Sequence, residues 1–349
     1  MASPTICPTD QSDSNDLVSR ITGVRIAGTG IWQPDSTVNN EDLEALGCDS
    51  DWIVQRTGIL SRHHAGDSLA TSDLAIAAAE DCLKRTGTDI DEIDLILVAT
   101  MTPDHYTPST ACMVQKGLGA NAAAVDMNAA CSGFMYALIT GAQFIKTRCS
   151  RKTLVIGADM MTMVVDPEDK KTFPLFGDGA GAAILERDSN PNPDEVSAIL
   201  SFRLASEGEL GDTLLVPCGG SRMPASVEGV QERENYLKMD GRSVFKWAVR
   251  LIPEMVESVV SQADLTLDDI DLIFFHQANK RIIDAAVENL NVPAEKVFMN
   301  LDRWGNTSAA SIPISLHEAY VDGRIKKGSN VLLAGFGAGL TWGAAVVRW

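Results

Sequence analysis

The chain repeats itself at a single offset, and this narrows its possible folds more than any other feature. "IDEIDLILVAT" begins at Ile90 and "LDDIDLIFFHQ" at Leu267, 177 residues later. Each is an acidic stretch running into an apolar run, the pattern of a strand buried on both faces. The same shift carries "TLVIGAD" at Thr153 onto "NVLLAGF" at Asn330. It also carries the amphipathic helical pattern from Ser72 to Gly87 onto that from Val249 to Asp264. Any α/β protein reuses such elements, but one offset shared by four blocks points to duplication. Strands alternating with helices predict mostly parallel sheets, with active groups at strand C-terminal ends and helix N-termini.

The shift takes Cys131, in "AVDMNAACSGFMYAL", to Ser308, in "GNTSAASIPISLHEAY". These are equivalent corners, which facing halves bring together. Phe134, Leu138, Ala142 and Ile145 recur at helical spacing, so Cys131 lies at or near a helix start. There the helix dipole and free N–H groups favour a thiolate, and a nucleophile of lowered pKa is one reading. A buried inert cysteine is the other. His276 ends the apolar run "DLIFFHQAN" and is either a donor or proton shuttle at a strand end, or a satisfied core histidine. Asn306, in "DRWGNTSAAS", is either a helix N-cap or an amide donor to a carbonyl oxygen gaining charge. "FGDGAGAAIL" and "GFGAGLTWGAAVV" fit neither a dinucleotide fingerprint nor a phosphate loop. Their glycines are expected to let backbone approach a ligand and turn N–H groups inward.

Composition removes several classes. A net charge of −18 argues against nucleic-acid binding. No apolar run approaches the roughly 18 residues that span a bilayer, so no membrane partner is expected. Seven irregularly spaced cysteines without a CxxC pair suggest reduced thiols in a cytoplasm, and five scattered histidines argue against a metal site. Residues 1–20 are polar and Ser/Asp-rich, without the basic and apolar regions of a signal peptide, and read as a flexible tail. The duplicated halves are then 21–195 and 196–349.

Together, "NAACSGF" around Cys131, "HQAN" at His276, "GNTSAAS" at Asn306, "GDGAGAA", "GFGAGLTWG" and "DWIVQRTGI" resemble the β-ketoacyl-acyl carrier protein synthase III family. The resemblance covers nearly the whole chain from Ile21, with the motifs in family order. It implies a thiolase fold of two duplicated halves in five αβαβα layers, a homodimer, and no cofactor beyond the substrates acyl-CoA and malonyl-acyl carrier protein. It further implies that Cys131 takes an acyl group from CoA while backbone N–H groups of Cys131 and Ala338 hold the oxyanion. His276 and Asn306 then stabilise the enolate left by decarboxylation, and the product initiates fatty acid synthesis. The alternative is a related condensing enzyme or acyltransferase of a specialised-metabolite pathway. A degenerate scaffold subunit is disfavoured because all three catalytic residues are intact.

By the same resemblance Trp52 and Arg56 hold the CoA nucleotide, Lys170 stands where relatives often carry arginine, Asn279 contacts the pantetheine arm, and Phe336 favours decarboxylation. Thr107, in "HYTPSTA", replaces a phenylalanine that short-chain relatives contribute across the dimer. A roomier acyl pocket is expected, unless Met160, Met161 or Met163 refills it. Arg242, Lys246 and Arg250 recur every four residues and share a helix face. With Lys280 and Arg281 they are expected to form a basic rim for the acidic acyl carrier protein.

Overall fold

The computed structural model describes residues 20–189 and 197–349. The expected boundary at 195/196 and the expected tail, Arg20 apart, lie outside the described residues. The main elements of the first half are β1 (Ile21–Thr22), β2 (Val24–Trp32), α1 (Ser50–Thr57), α2 (Thr71–Thr86) and β3 (Leu95–Ala99). They continue with α3 (Thr110–Leu118), β4 (Ala123–Met127), α4 (Gly133–Lys146), β5 (Lys152–Asp159) and β6 (Gly179–Arg187). The second half runs β7 (Ala198–Ser206), α5 (Gly241–Gln262), β8 (Leu272–Phe275) and α6 (Lys280–Leu290). It ends with α7 (Ser311–Val321), β9 (Asn330–Gly337) and β10 (Thr341–Arg348).

One sheet has the order β2-β6-β5-β3-β4 and the other β1-β7-β10-β9-β8. Strands β2, β6, β5 and β3 thus match β7, β10, β9 and β8. Where β4 stands in the first sheet, the second has only the bridge Ile273–Val297. β1 pairs with β7, so the described chain starts in the sheet of the opposite half. The expectation of mostly parallel sheets is corrected. Only β3–β4, β3–β5 and β8–β9 are parallel. β9 turns into β10 through a few residues, and so short a connection forces an antiparallel pair.

Helices α4 and α7 lie between the sheets, α2 and α3 cover the outer face of the first, and α5 and α6 that of the second. This is the five-layer αβαβα arrangement. It explains why β3 and β8 are apolar throughout. In β3, Leu95, Leu97 and Ala99 enter the central core with Phe134 and Leu316, while Ile96 and Val98 enter the core under α2. In β8, Leu272 and Phe274 face inward and Ile273 and Phe275 face α5. A strand alternates its faces with period two, and here both faces meet helices.

The pairing also refines the repeat. The 177-residue offset holds where the outer helices end in left-handed residues, Gly87 (φ 66) and Asp264 (φ 56). It holds from Leu95 to Leu272 as well. But Leu95 pairs with Thr153 while Leu272 pairs with Val331, so the offset there is one residue longer. The longer offset persists in the turns before α4 and α7, where Ala130 (φ 45) matches Ser308 (φ 51). The structural counterpart of Cys131 is therefore Ala309, a correction to the match with Ser308. The corners are equivalent as expected, but a one-residue slip on a strand exchanges its faces, and only hydrogen-bond register resolves it.

Candidate active site

Strand β4 ends at Met127, and the chain then makes one tight 3-10 turn, Ala130–Ser132, before α4 begins. Ala130 occupies the left-handed region, which costs a non-glycine residue about 1–2 kcal/mol. Such strain is held by surrounding contacts and collects at functional sites. Here Asn128 Oδ1 accepts from the Ala130 N–H (3.2 Å), and the Ser132 hydroxyl donates to the Ala129 carbonyl (2.8 Å). Gly337, the last residue of β9, packs on the turn from the second half. A Cβ there would lie 2.7 Å from the Cys131 nitrogen, so only glycine fits. Cys131 is left 8% exposed, on the wall of a cavity of about 540 Å³.

His276 and Asn306 line the same cavity. His276 follows β8 directly. Its Nδ1 lies 2.7 Å from the Ser311 hydroxyl at the start of α7, and the Phe336 ring packs edge-on against the imidazole, with centroids 5.4 Å apart. Asn306 is pinned to the first half. Its N–H donates to the Leu175 carbonyl (2.8 Å), and its carbonyl accepts from the Gly177 N–H (3.1 Å). The buried Arg62 guanidinium braces this segment by donating to the Pro174 carbonyl (2.8 Å). Asn306 Oδ1 accepts from the Ser308 N–H (2.9 Å), so the capping reading is realised by that oxygen. Its amide NH₂ is thereby oriented away from the turn and left for another acceptor.

Electrostatics corrects one expectation. Cys131 does stand at a helix start, but burial pushes its thiol up to about 12. The Ser308 hydroxyl, 3.5 Å from Sγ, opposes this, and the charge of Asp159 reinforces it. Desolvation of a thiolate outweighs the helix-start effect here. Burial likewise pushes His276 down to about 3, so its imidazole is neutral. A neutral His276 can still donate or accept hydrogen bonds at the cavity.

The mouth of the cavity is basic in a strongly acidic chain. Arg56, Lys170, Lys171, Arg242 and Arg281 line it against one carboxylate, Asp240. Asp240 is occupied in capping α5. The Arg56 guanidinium lies over the Trp52 ring, 4.7 Å from its centroid. Asn279 also lines the cavity, yet its amide donates to the Arg56 carbonyl (3.1 Å) and its Oδ1 caps α6, tying α1 to α6. Phe336 lines the cavity. Lys246 is exposed on α5 beyond the lining, and the Arg281 guanidinium packs over Phe245, 5.4 Å from the ring centroid. The rim is smaller than expected. Arg250 pairs with Glu207 (3.4 Å) and Lys280 with Asp284 (2.6 Å), so both charges are partly neutralised.

Ala338 borders a second hollow of about 390 Å³, which also touches Ala129 and Ala130 beside the nucleophile. Its apolar wall includes Met101, Leu214 and Leu237. Met160, Met161 and Met163, the residues that could have refilled a roomier pocket, do not line it. Thr107 is exposed and lines neither hollow within one chain. The glycines of "GDGAGAA" serve packing instead of ligand approach, a second correction. A Cβ on Gly181 would meet Pro313 and Ile314 of α7 at 2.8–2.9 Å, and one on Gly179 would meet Trp304.

Sequence reading brought the Ser308 corner to Cys131 but missed Ser311, Asp159 and Lys171. Lys171 adjoins Lys170 and could have been found by adjacency. The others lie far from their partners in the chain, and no local pattern marks them. Among the described residues the six cysteines are free, no cluster is placed to hold a metal ion, and no helix is long and apolar enough to cross a membrane.

Two family models, the synthase domain and the C-terminal domain of 3-oxoacyl-[acyl-carrier-protein] synthase III, match residues 125–208 and 260–349. The β-ketoacyl-[acyl-carrier-protein] synthase III of Rhodopirellula baltica is 55% identical, covering 95% of this chain and all of its own length. That of Natranaerobius thermophilus is 46% identical over 94% of this chain and all of its own. The crystal structure of 3-oxoacyl-[acyl-carrier-protein] synthase III from Aquifex aeolicus matches with TM-score 0.85 and 42% identity, covering 94% of this chain and all of that one. The paired corners, the basic mouth and these likenesses agree: the chain has the thiolase fold, belongs to the β-ketoacyl-acyl carrier protein synthase III family and is an acyl-transferring condensing enzyme.

Proposed function

We propose that this enzyme condenses an acyl-CoA primer with malonyl-acyl carrier protein, releasing CO₂ and CoA and giving a β-ketoacyl-acyl carrier protein. The observation that carries the reading is that Cys131, His276 and Asn306 share one cavity behind a basic mouth. Arg56, Lys170, Lys171 and Arg281 suit the phosphates of CoA, and Trp52 offers a ring face to its base. Cys131 Sγ attacks the thioester carbon. The oxyanion is held by the N–H groups of Cys131 and Ala338, and CoA departs.

The malonyl group then enters the vacated space. Its carboxylate leaves as CO₂ and negative charge develops on the thioester oxygen. The Asn306 NH₂ is oriented by its own Oδ1 contact. Ser311, which accepts a long hydrogen bond from the Gln277 N–H (3.4 Å), has its O–H available for His276 Nδ1. The proton of the neutral imidazole then sits on Nε2, facing the cavity. Two donors meet the enolate, whose carbon attacks the acyl-cysteine. Phe336 beside His276 keeps water from the departing carboxylate.

A homodimer in the cytoplasm completes the reading. β4 is an edge strand with Val125 48% exposed, and the following copy of the same edge offers the matching partner. Tyr106, beside Thr107, is 85% exposed, and its hydroxyl donates to the Gly219 carbonyl. Free thiols suit a reducing compartment. The specialised-pathway alternative uses the same chemistry and differs in the acceptor. The test is incubation with labelled acyl-CoA, peptide mapping, and then chase with malonyl-acyl carrier protein or other acceptors. Label on Cys131 that transfers to the malonyl carrier with loss of CO₂ is expected. Normal labelling of Cys131→Ala would overturn the assignment.

A further inference from the structure

Among the buried ionisable groups that the mechanism above leaves unused, one backs onto the nucleophile. Asp159, the last residue of β5, is wholly inaccessible. Its Oδ1 receives the Thr100 hydroxyl (2.9 Å), the Met101 N–H (2.8 Å), and both the N–H (3.2 Å) and the hydroxyl (3.0 Å) of Thr102. Its Oδ2 receives the Ala309 N–H (3.1 Å), and the Ser308 side chain lies close enough to favour the charged carboxylate. Four donors on one oxygen brace the end of β3. The other oxygen faces the turn that touches the nucleophile, where Ser308 Oγ stands 3.5 Å from Cys131 Sγ.

The duplication makes Asp159 conspicuous. Its counterpart in the second half is Gly337 at the end of β9, which packs against Cys131 as Asp159 packs against Ala309. One half ends this strand with no side chain, and the other with a carboxylate on the path to the only thiol in the cavity wall. The groups facing Asp159 are Thr100, Met101 and Thr102 from the β3 end, Ser308 and Ala309 from the second half, and Cys131 across the corner. None is cationic. His276 Nδ1 is engaged by the Ser311 hydroxyl.

We propose that Ser308 and Asp159 form a proton relay that accepts the Cys131 proton during acylation and returns it after condensation. This rests on the reading of Cys131 as the acylated nucleophile. In the resting site the Ser308 hydroxyl donates to Cys131 Sγ. In the relay it turns its proton toward the Asp159 carboxylate, so that as the S–H bond breaks the sulfur proton passes to Ser308 Oγ and the Ser308 proton passes to Asp159. The sulfur electron pair forms the bond to the thioester carbon, and the CoA thiolate leaves and takes a proton from water at the mouth. In the second half-reaction the acyl carbon leaves sulfur, the thiolate is regenerated, and the proton travels back. Ser308 touches the reacting sulfur, and Asp159 acts through it as a positioning residue. Burial raises the pKa of Asp159, which makes its carboxylate a better proton acceptor.

The test is single-turnover acylation by acyl-CoA, read by intact mass between about pH 6 and 10, for wild type, Asp159→Asn and Ser308→Ala. Alanine suits the left-handed Ser308 site, since Ala130 adopts the same conformation in the matching turn. Both variants should acylate about 10²-fold more slowly near neutral pH and recover steeply as pH rises, because the thiol must then ionise unaided. Wild type should show a flatter profile. A uniform drop at every pH would mean a merely structural brace and would overturn the relay. So would faster acylation by Asp159→Asn, the result expected if the carboxylate acts only by repelling a thiolate. Should Asp159→Asn fail to fold, Ser308→Ala decides by the same profile. Absence of acylation in wild type at every pH would refute the nucleophile reading itself.

Discussion

The Ser308 hydroxyl rests 3.5 Å from the Cys131 sulfur, joining the turn before α7 to the turn before α4. The site therefore exists only where the two halves face each other. The first half brings the thiol. The second brings His276, Asn306 and Gly337, and its strand β9 seals the back of the nucleophile. A change on either side of this seam should separate the half-reactions rather than abolish folding.

His276→Ala and Asn306→Ala should keep self-acylation by acyl-CoA and lose decarboxylation. Each donor in such a hole is worth about 3–4 kcal/mol, so decarboxylation should fall about 10²–10³-fold. Release of CO₂ from carboxyl-labelled malonyl-acyl carrier protein measures it. A wild-type decarboxylation rate in either variant would remove that residue from the enolate site.

The pairing pattern divides the basic rim. Lys246 has no carboxylate partner among the described residues, whereas Arg250 already contacts Glu207. Lys246→Glu should raise KM for the acyl carrier protein several-fold at low salt, by about three- to tenfold, and spare acyl-CoA self-acylation. Arg250→Glu should have a smaller effect. Equal effects, or none at low ionic strength, would count against Lys246 as a docking residue.

Primer length should be generous. The second hollow has an apolar wall, and Thr107 is smaller than the phenylalanine that the family resemblance leads one to expect there. Each additional buried CH₂ gains about 0.8 kcal/mol, roughly fourfold in kcat/KM. Wild type should favour primers longer than acetyl, and Thr107→Phe should shift it toward short ones. A wild type that prefers acetyl-CoA, unchanged by the substitution, would show that Thr107 does not shape the pocket in the assembled enzyme.

The buried imidazole of His276 should make the fold acid-sensitive. Its pKa is pushed down to about 3 in the folded chain, against an ordinary 6.5 when unfolded. Between these values the unfolded state binds a proton that the folded state does not, so stability is lost as pH falls below 6.5. The loss at pH 5 is about 2 kcal/mol from this residue. His276→Gln should flatten the fall in Tm between about pH 6.5 and 4.5. Asp159 and Asp178, whose raised pKa values act in the opposite sense, are common to both proteins and cancel in the difference. Parallel Tm profiles would show that His276 titrates normally.

The sequence by itself determined the duplication, the strands buried on both faces, the family and the three central side chains. Those properties live in local periodicity and in short contiguous motifs, which a linear reading retains. It misjudged what depends on environment. The helix-start position of Cys131 suggested a lowered pKa, and burial reversed the sign. The offset of 177 matched Cys131 to Ser308, and strand register moved the match to Ala309. Glycines that looked ligand-facing proved to admit α7 against β6. Only the tertiary structure decided that Ser311 engages His276 Nδ1, that Glu207 quiets one of the rim cations, and that Asp159 backs onto the seam. Desolvation and hydrogen-bond partnership are pairwise properties of residues brought together from 35 to 177 positions apart, and a single chain position does not encode its partner.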